Sequence, residues 1–396
     1  MKIAIVGGGP SGLYLGLLLK RGAPHWNVVV IEQNTRDATF GFGVVLADTG
    51  LLQLRDADAA SYEALCAAMR YNDRQVIVQR EQPIEVRLST RGGAIPRLTM
   101  LQILQGQAQE AGVQILYGQR IESTDDLGRL GLADADVVIG ADGVNSVLRR
   151  QFGAEFGTTQ HALTNHFAWY GTKRVFDAPA LAFREWEGGH FVAHYYAYSD
   201  AMSTFVAECD DATWQRFDLG RLSDDERTAL IEDIFAPELA GEKLTTNKSI
   251  WRQFPVIRNA RWSHGRHVLI GDALASAHFS IGSGTRIAMT DSIALARALL
   301  DCEGDVARGL AAFERDHAPQ KGKLIAASEQ SYNWYERMAD RMDRLTPEDF
   351  VYDYMTRTGR VDDERLRTEF PELMRRLGKA PASRRSPQSQ FTQGIR

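Results

Sequence analysis

Short unbroken apolar runs punctuate the chain: Ile3-Ala4-Ile5-Val6, Val28-Val29-Val30-Ile31, Val137-Val138-Ile139 and Val268-Leu269-Ile270. Runs of this length without polar alternation predict buried strands of a parallel sheet. Leu13 to Leu19 is apolar and ends at Lys20-Arg21-Gly22, so residues 2–36 read as strand–helix–strand. Phe40 to Leu46 reads as a glycine-punctuated loop entering a strand, and Val113 to Tyr117 as another strand. Arg97 to Glu110 has helical spacing (Leu98, Leu101, Ile103, Leu104), with Pro96 at its start and Gly112 at its stop. Between Leu163 and Cys209 the pattern changes to short aromatic strands separated by Gly, Asp and Pro: 167–170, 181–184, 191–196 and 203–207. That pattern predicts an antiparallel sheet. Gly284 to Leu300 predicts a long helix, and residues 306–378 predict further helix with a break at Pro319. The Ser-, Gln-, Arg- and Pro-rich tail from Ala380 predicts disorder.

The first run leads into Gly7-Gly8-Gly9-Pro10-Ser11-Gly12, and Glu32 closes the second strand. Gly7 permits a tight turn, Gly9 lets backbone approach a pyrophosphate, and Gly12 lets helix and strand pack closely. The helix start, with its free N–H groups and positive dipole end, faces the phosphates, and Glu32 can accept hydrogen bonds from a ribose. An adenine dinucleotide is the expected ligand. Two further strands end in polar turns. Asp136 to Ala141 delivers Asp142-Gly143, followed by Ser146 and Arg149, and Val268 to Gly271 delivers Asp272. Ligands bind in the crevice beyond the carboxyl ends of such strands. Gly282-Ser283-Gly284-Thr285 then opens the long helix, whose dipole would favour the negative charge of a reduced flavin around N1 and C2=O.

The nucleotide-binding part is therefore discontinuous, 1–160 with 250–305. An antiparallel-sheet substrate domain (161–249) is inserted, and a helical C-terminal region (306–379) and a tail (380–396) follow. The fold class is α/β with an α+β insert, built on a Rossmann-like FAD-binding domain. This interrupted layout suggests a flavoprotein more than a nicotinamide dehydrogenase. At 396 residues, 44% hydrophobic and 24% charged, the chain is globular in composition. Its net charge of −5 argues against nucleic acid, and no apolar run approaches the ~18 residues of a membrane span. Cys66, Cys209 and Cys302 have no metal or redox spacing. With a strand starting at residue 3, no signal peptide is expected. A cytoplasmic protein, monomer or homodimer, without metal, is the expectation.

Three signatures in this order and spacing resemble the class A FAD-dependent aromatic hydroxylases, the single-component flavoprotein monooxygenases, over roughly residues 1 to 320. Thr39 to Val45, Trp169 to Thr172, Ser203 to Cys209 and Ala277 to Thr285 resemble one branch of that family. The branch holds salicylyl-CoA 5-hydroxylase, the monooxygenase half of 2-aminobenzoyl-CoA monooxygenase/reductase and the violacein-pathway hydroxylase. Phe350 to Arg360 also resembles the first two. The resemblance implies FAD bound by Gly7, Gly9, Gly12, Glu32, Arg97, Asp142 and Asp272, and NAD(P)H served by Asp142-Gly143. It implies an aromatic ring hydroxylated with O2 through a flavin C4a-hydroperoxide. Ser11, Gly143, Gly282, Gly284 and Thr285 join the cofactor-binding set by position in the motifs. The wider family has a proline where Phe279-Ser280 stand and an asparagine where Arg286 stands.

In such an enzyme the flavin does the hard chemistry, and the protein orients the ring and excludes water. The pocket candidates come from the aromatic insert and the flavin loop. His194, Tyr196, His278 and Arg184 are the candidate catalytic residues; Trp169, Tyr170, Tyr198 and Phe42 are the candidate substrate contacts. Strand alternation puts His194, Tyr196 and Tyr198 on one face. His194 could take a proton from a ring substituent or be a core histidine bonded to backbone. The tyrosines could instead be packing residues. His278 could touch substrate or flavin, and Arg184 could meet an anion or pair at the surface. Lys173, Arg174 and Arg286 could hold CoA phosphates or form a solvated edge. Tyr332, Trp334, Tyr335 and Met338 read as core or dimer contacts. The substrate is an aromatic acid or its CoA thioester, with an indole- or tryptophan-derived ring as the alternative. A flavin-dependent halogenase is disfavoured because Trp251-Arg252-Gln253-Phe254-Pro255 lacks the Trp-x-Trp-x-Ile-Pro pattern of that class. A non-catalytic dinucleotide-binding module is the third reading.

Overall fold

The computed structural model describes residues 1–282 and 284–379; Ser283 and the predicted tail lie outside them. The apolar runs form the parallel sheet that their patterning predicts. Its six strands lie in the order Ser263–His264, His267–Leu269, Val137–Gly140, Lys2–Val6, Asn27–Ile31 and Gln114–Leu116. All neighbours are parallel except the first pair. Helix Pro10–Gly22 packs on this sheet with Leu13, Leu15, Leu17 and Leu19 fully buried. Helices Arg97–Glu110 and Gly284–Asp301 flank it, so all three signatures emerge at one edge of a single core.

The second sheet has nine strands and is larger than the predicted insert. Thr158–Thr172, Ser203–Cys209, Gly189–Ala197 and Ala180–Trp186 pair antiparallel in that order, with Arg252–Asn259 against the first of them. The sheet then continues through Arg70–Gln79, Gln82–Pro96 and Gly43–Ala47, strands from the N-terminal third. Val76 to Gln79 join Ala180 to Phe183 in parallel, the one exception to the antiparallel pattern among the described residues. Residues 43–96 therefore serve both sheets: their strands extend the second, while Leu46, Leu51, Leu54, Leu65 and Ile95 pack in the core of the first.

Cross-strand register sorts the side chains. His194 lies opposite Val206, which lies opposite Trp169, so these three share a face. Tyr195, Phe205 and Tyr170 share the other face, which buries Phe191, Phe205 and Cys209 against Ile231, Ile234 and Phe235. The helical region closes the first face: Trp334, Tyr335, Met338 and Phe350 pack on Leu181, Phe183 and Val192. These helical aromatics are core residues, in line with one of the two sequence readings.

The break predicted at Pro319 does not occur, and helix Val306–Tyr335 runs through it. Proline removes one backbone donor and crowds the preceding turn. Phe313, His317 and Lys321 are buried on both sides of it, and this packing holds the helix together.

Candidate active site

The glycine turn has the geometry expected of a phosphate cradle. Gly7 has φ +111°, and a Cβ there would lie 2.4 Å from Ala141 O. A Cβ on Gly12 would lie 2.0 Å from Gly7 O, so both positions require glycine. Gly9, by contrast, faces open space. Helix Pro10–Gly22 starts with no side-chain cap, leaving first-turn N–H groups for a ligand. Ser11 is buried beside them, and its carbonyl accepts from Ser292 Oγ (2.8 Å). Glu32 follows the second strand; its carboxylate accepts from Gly8 N (2.8 Å) and from the Asn34 backbone and side chain (2.8 and 2.7 Å).

The other two signatures are tied together. Asp142 Oδ2 accepts from Val147 N at 2.7 Å, while its Oδ1 is buried without a hydrogen-bond partner, an acceptor that a ligand could satisfy. Burial raises its pKa. Arg149 donates to Ala273 O (3.0 Å), to Gly143 O (3.4 Å) and to Val144 O, fixing the Asp142-Gly143 turn to the Asp272-Ala273 turn. Burial pushes Asp272 up to about 6, although Lys321 and Arg97 oppose it. Arg97 sits at the start of its helix, where its backbone N–H donates to Phe42 O (2.8 Å). Behind Asp272, the fully buried Asp291 accepts from Gly271 N (2.8 Å), His317 Nε2 (2.9 Å) and Lys321 Nζ (2.5 Å). The open glycine cradle, the uncapped helix start, the orphaned Asp142 oxygen and Glu32 together fit a dinucleotide with phosphates and polyol hydroxyls. Thr285 and Gly284 begin the long helix beyond the left-handed Gly282 (φ +59°).

The candidate substrate residues His194 and Trp169 share one sheet face. Phe279 of the flavin loop lies 4.7 Å from Phe167, 5.3 Å from Trp169 and 5.5 Å from His194, centroid to centroid. His194 stacks on Tyr335 (5.3 Å). Its Nε2 lies 3.3 Å from Glu208 Oε2; Glu208 is 1% exposed, and its Oε1 accepts from Asn165 Nδ2 (2.9 Å). An ionised Glu208 only accepts, so it pairs with the tautomer of His194 that carries its proton on Nε2. The partner of His194 is thus a buried side chain rather than backbone. Tyr196 donates to Gly43 O (2.9 Å), Thr204 Oγ1 accepts from Gly43 N (2.8 Å), and the Tyr198 ring packs on Gly43. Burial raises Tyr196 to about 12, so it remains a hydroxyl donor. Phe42 fits over Gly171, where any Cβ would meet its ring at 2.4 Å.

His278 caps the turn 279–281: Ser280 N donates to its Nδ1 (3.3 Å), and Ser280 Oγ lies 2.8 Å away. Burial, with His194 and Arg357 adding to it, pushes its pKa down to about 3, so it stays neutral and shapes the loop.

Two predicted pocket residues lie elsewhere. Arg184 is paired in register with Phe191, on the opposite sheet face, and forms a bidentate ion pair with Glu238 (2.7 and 3.1 Å). Tyr170 also points away and accepts from Trp251 Nε1 at 2.9 Å. Arg174 lines the same outer groove as Arg184, Glu238 and Tyr195, so it does not join Arg286 beside the flavin loop, and Lys173 is exposed. Sequence reasoning missed Glu208, Phe279 and Tyr335 as neighbours of His194. An acid inside the apolar run Ser203 to Cys209 was the available signal for Glu208.

Residues 1–319 match the FAD binding domain family. The chain belongs to that family. It is a class A FAD-dependent aromatic hydroxylase, and NAD(P)H and O2 are the co-substrates of this class. This flavoprotein monooxygenase is 35% identical to salicyloyl-CoA 5-hydroxylase of a Streptomyces species, over 90% of this chain and 70% of that one. It is 33% identical to 3-hydroxy-4-methyl-anthranilyl-(aryl-carrier protein) 5-monooxygenase of Streptosporangium sibiricum, over 93% and 97%. It is 32% identical to protodeoxyviolaceinate monooxygenase of Chromobacterium violaceum, over 90% and 94%. Among solved structures, 2-methyl-3-hydroxypyridine-5-carboxylic acid oxygenase shares the fold with a TM-score of 0.68 at 16% identity, over 95% of this chain and 98% of that one. No helix among the described residues is long and apolar enough to cross a membrane.

Proposed function

We propose that this monooxygenase hydroxylates the ring of an aryl thioester, linked to CoA or to a carrier protein, and that His194 handles the proton of the ring's hydroxyl or amino group. The observation that carries the catalytic part is the buried Glu208–His194 pair, set on the aromatic wall that faces Phe279. FAD, when bound, accepts electrons from NAD(P)H and activates O2 for transfer to the ring. The chain supplies the rest. Gly7, Gly9, Ser11, Gly12 and Glu32 hold the adenine end; Arg97, Asp142, Gly143, Asp272, Gly282, Gly284 and Thr285 hold the flavin end. Phe167, Trp169 and Phe279 grip the ring edgewise and keep water out. Phe42 and Tyr198 border the same space on the Gly43 side. Glu208 orients His194 and stabilises it when it takes the proton, which makes the ring a better nucleophile. Arg252 rides over Phe167 and Trp169 (5.6 and 5.7 Å) at the rim, a cation placed for a substrate's anionic tail.

Two of the three relatives carry thioester-linked substrates in their names, and this supports the thioester. The third supports a second reading, a free indole-derived ring. The free thiols of Cys66, Cys209 and Cys302 support a cytoplasmic protein. The test is purified holoenzyme offered aryl-CoA thioesters, aryl-carrier proteins, free aromatic acids and tryptophan derivatives. We expect NAD(P)H oxidation stimulated by thioesters, with one atom of labelled O2 in the product. Stimulation by free rings alone would overturn the thioester.

A further inference from the structure

The first turn of helix Gly284–Asp301 carries a cation that no described residue neutralises. Arg286 is 9% exposed, and its Nε has no hydrogen-bond partner. Burial disfavours its charge, and the one charged neighbour acting on it is another cation, Arg360. A third arginine fixes this geometry. Arg357 donates to Ser280 O (2.9 Å) and Ser331 Oγ (3.0 Å), which ties the segment bearing Arg360 to the flavin loop. The acids on the facing helix are already engaged: Glu329 holds Arg258, and Glu336 accepts from the backbone of Thr164 and Asn165. Burying a guanidinium that has an orphaned Nε and no acid acting on it among the described residues, beside a like charge, is unfavourable unless an anion comes to it.

We propose that Arg286 and Arg360 form a seat for a phosphate group of a ligand entering beside the flavin loop. Paired guanidinium forks match phosphate oxygens, and the helix start adds a positive dipole end. Arg360 is exposed, so the seat opens to solvent, whereas the ring belongs at the aromatic wall. The seat therefore takes a charged tail. Besides FAD, whose phosphates belong to the glycine cradle, two molecules in this reaction carry phosphate esters: the CoA or phosphopantetheine arm of a thioester, and the nicotinamide donor. The first source rests on the thioester reading above; the second does not.

The test is calorimetric titration of FAD-loaded enzyme with CoA and, separately, with NAD+ and NADP+, in wild type, Arg286→Gln and Arg360→Gln. Affinity for one ligand class falls about tenfold or more in Arg286→Gln and less in the exposed Arg360→Gln, as for loss of a charged hydrogen bond. Loss of CoA binding identifies the substrate arm. Loss confined to nicotinamide nucleotides identifies the donor and leaves the thioester reading to its own assay. Unchanged affinities in both variants overturn the seat, as does a wild type that binds none of the three. A shifted flavin midpoint potential in Arg286→Gln with unchanged affinities overturns it too, assigning the guanidinium to the flavin. If Arg286→Gln fails to load FAD, Arg360→Gln decides alone.

Discussion

The raised pKa of Asp272 predicts a cost to the fold at alkaline pH that the proposed contact with FAD would offset, and this can be measured without turnover. Its carboxyl is raised from 3.8 to about 6 because burial at the strand end outweighs Lys321 and Arg97, which favour its charge. A folded-state pKa above the unfolded one means that the group supports the fold fully below about 4. That support is lost as pH rises through about 6. Two pKa units correspond to ~3 kcal/mol of destabilisation at pH 8. Asp272→Asn keeps the shape of the protonated acid and removes the charge. At pH 8 the apoprotein variant should therefore be more stable than wild type by ~3 kcal/mol. For a chain of this size that is a rise in Tm of roughly 3–4 °C. Below pH 4 the two should melt together. The same variant should bind FAD ~10- to 100-fold more weakly, because a neutral amide replaces a charged acceptor for a polyol hydroxyl. Differential scanning fluorimetry of apoprotein from pH 4 to 8, with flavin fluorescence titration, gives both numbers. An Asn variant less stable than wild type at pH 8, or one that holds FAD as tightly, would refute the reasoning.

Glu208→Gln should lower kcat for the ring-oxidation step by ~10- to 100-fold while flavin content stays normal, since a charge-assisted bond to His194 is lost; rapid-mixing absorbance of product formation reads it, and an unchanged rate removes His194 from the chemistry. Gly9→Ala meets no atom within 4 Å, so it should fold and melt like wild type yet lose bound FAD on gel filtration; full retention of the yellow colour would contradict the phosphate cradle. Arg184→Ala breaks a largely buried pair with Glu238 and should cost ~3 kcal/mol in denaturant unfolding with kcat unchanged, whereas a selective loss of kcat would return Arg184 to the site.

Much of the cofactor side is legible in the sequence because it depends on local backbone requirements. Gly7 and Gly12 are glycine for reasons set by atoms a few ångströms away, and an apolar run followed by Asp marks a strand end wherever it occurs. The substrate side is less legible because a sheet face is decided by partners. Alternation within Phe191 to Tyr198 groups His194 with Tyr196, but only cross-strand register shows that Arg184 faces away and that Glu208 backs His194. Strands Arg70–Gln79 and Gln82–Pro96 escape the reading because polar residues interrupt them along most of their length. Pro319 misleads because tertiary packing outweighs a single local penalty.

The parallel pairing of Val76 with Ala180 has a consequence for how the chain is made. The N-terminal third emerges from the ribosome with two long strands whose central neighbour is not yet synthesised. Until Ala180–Trp186 arrives, Arg70–Gln79 presents a bare hydrogen-bonding edge, the kind of edge that recruits other chains. Folding must then join segments remote in sequence, which is slow. Truncations between the two strands should accumulate as aggregates rather than as a free-standing nucleotide-binding fragment.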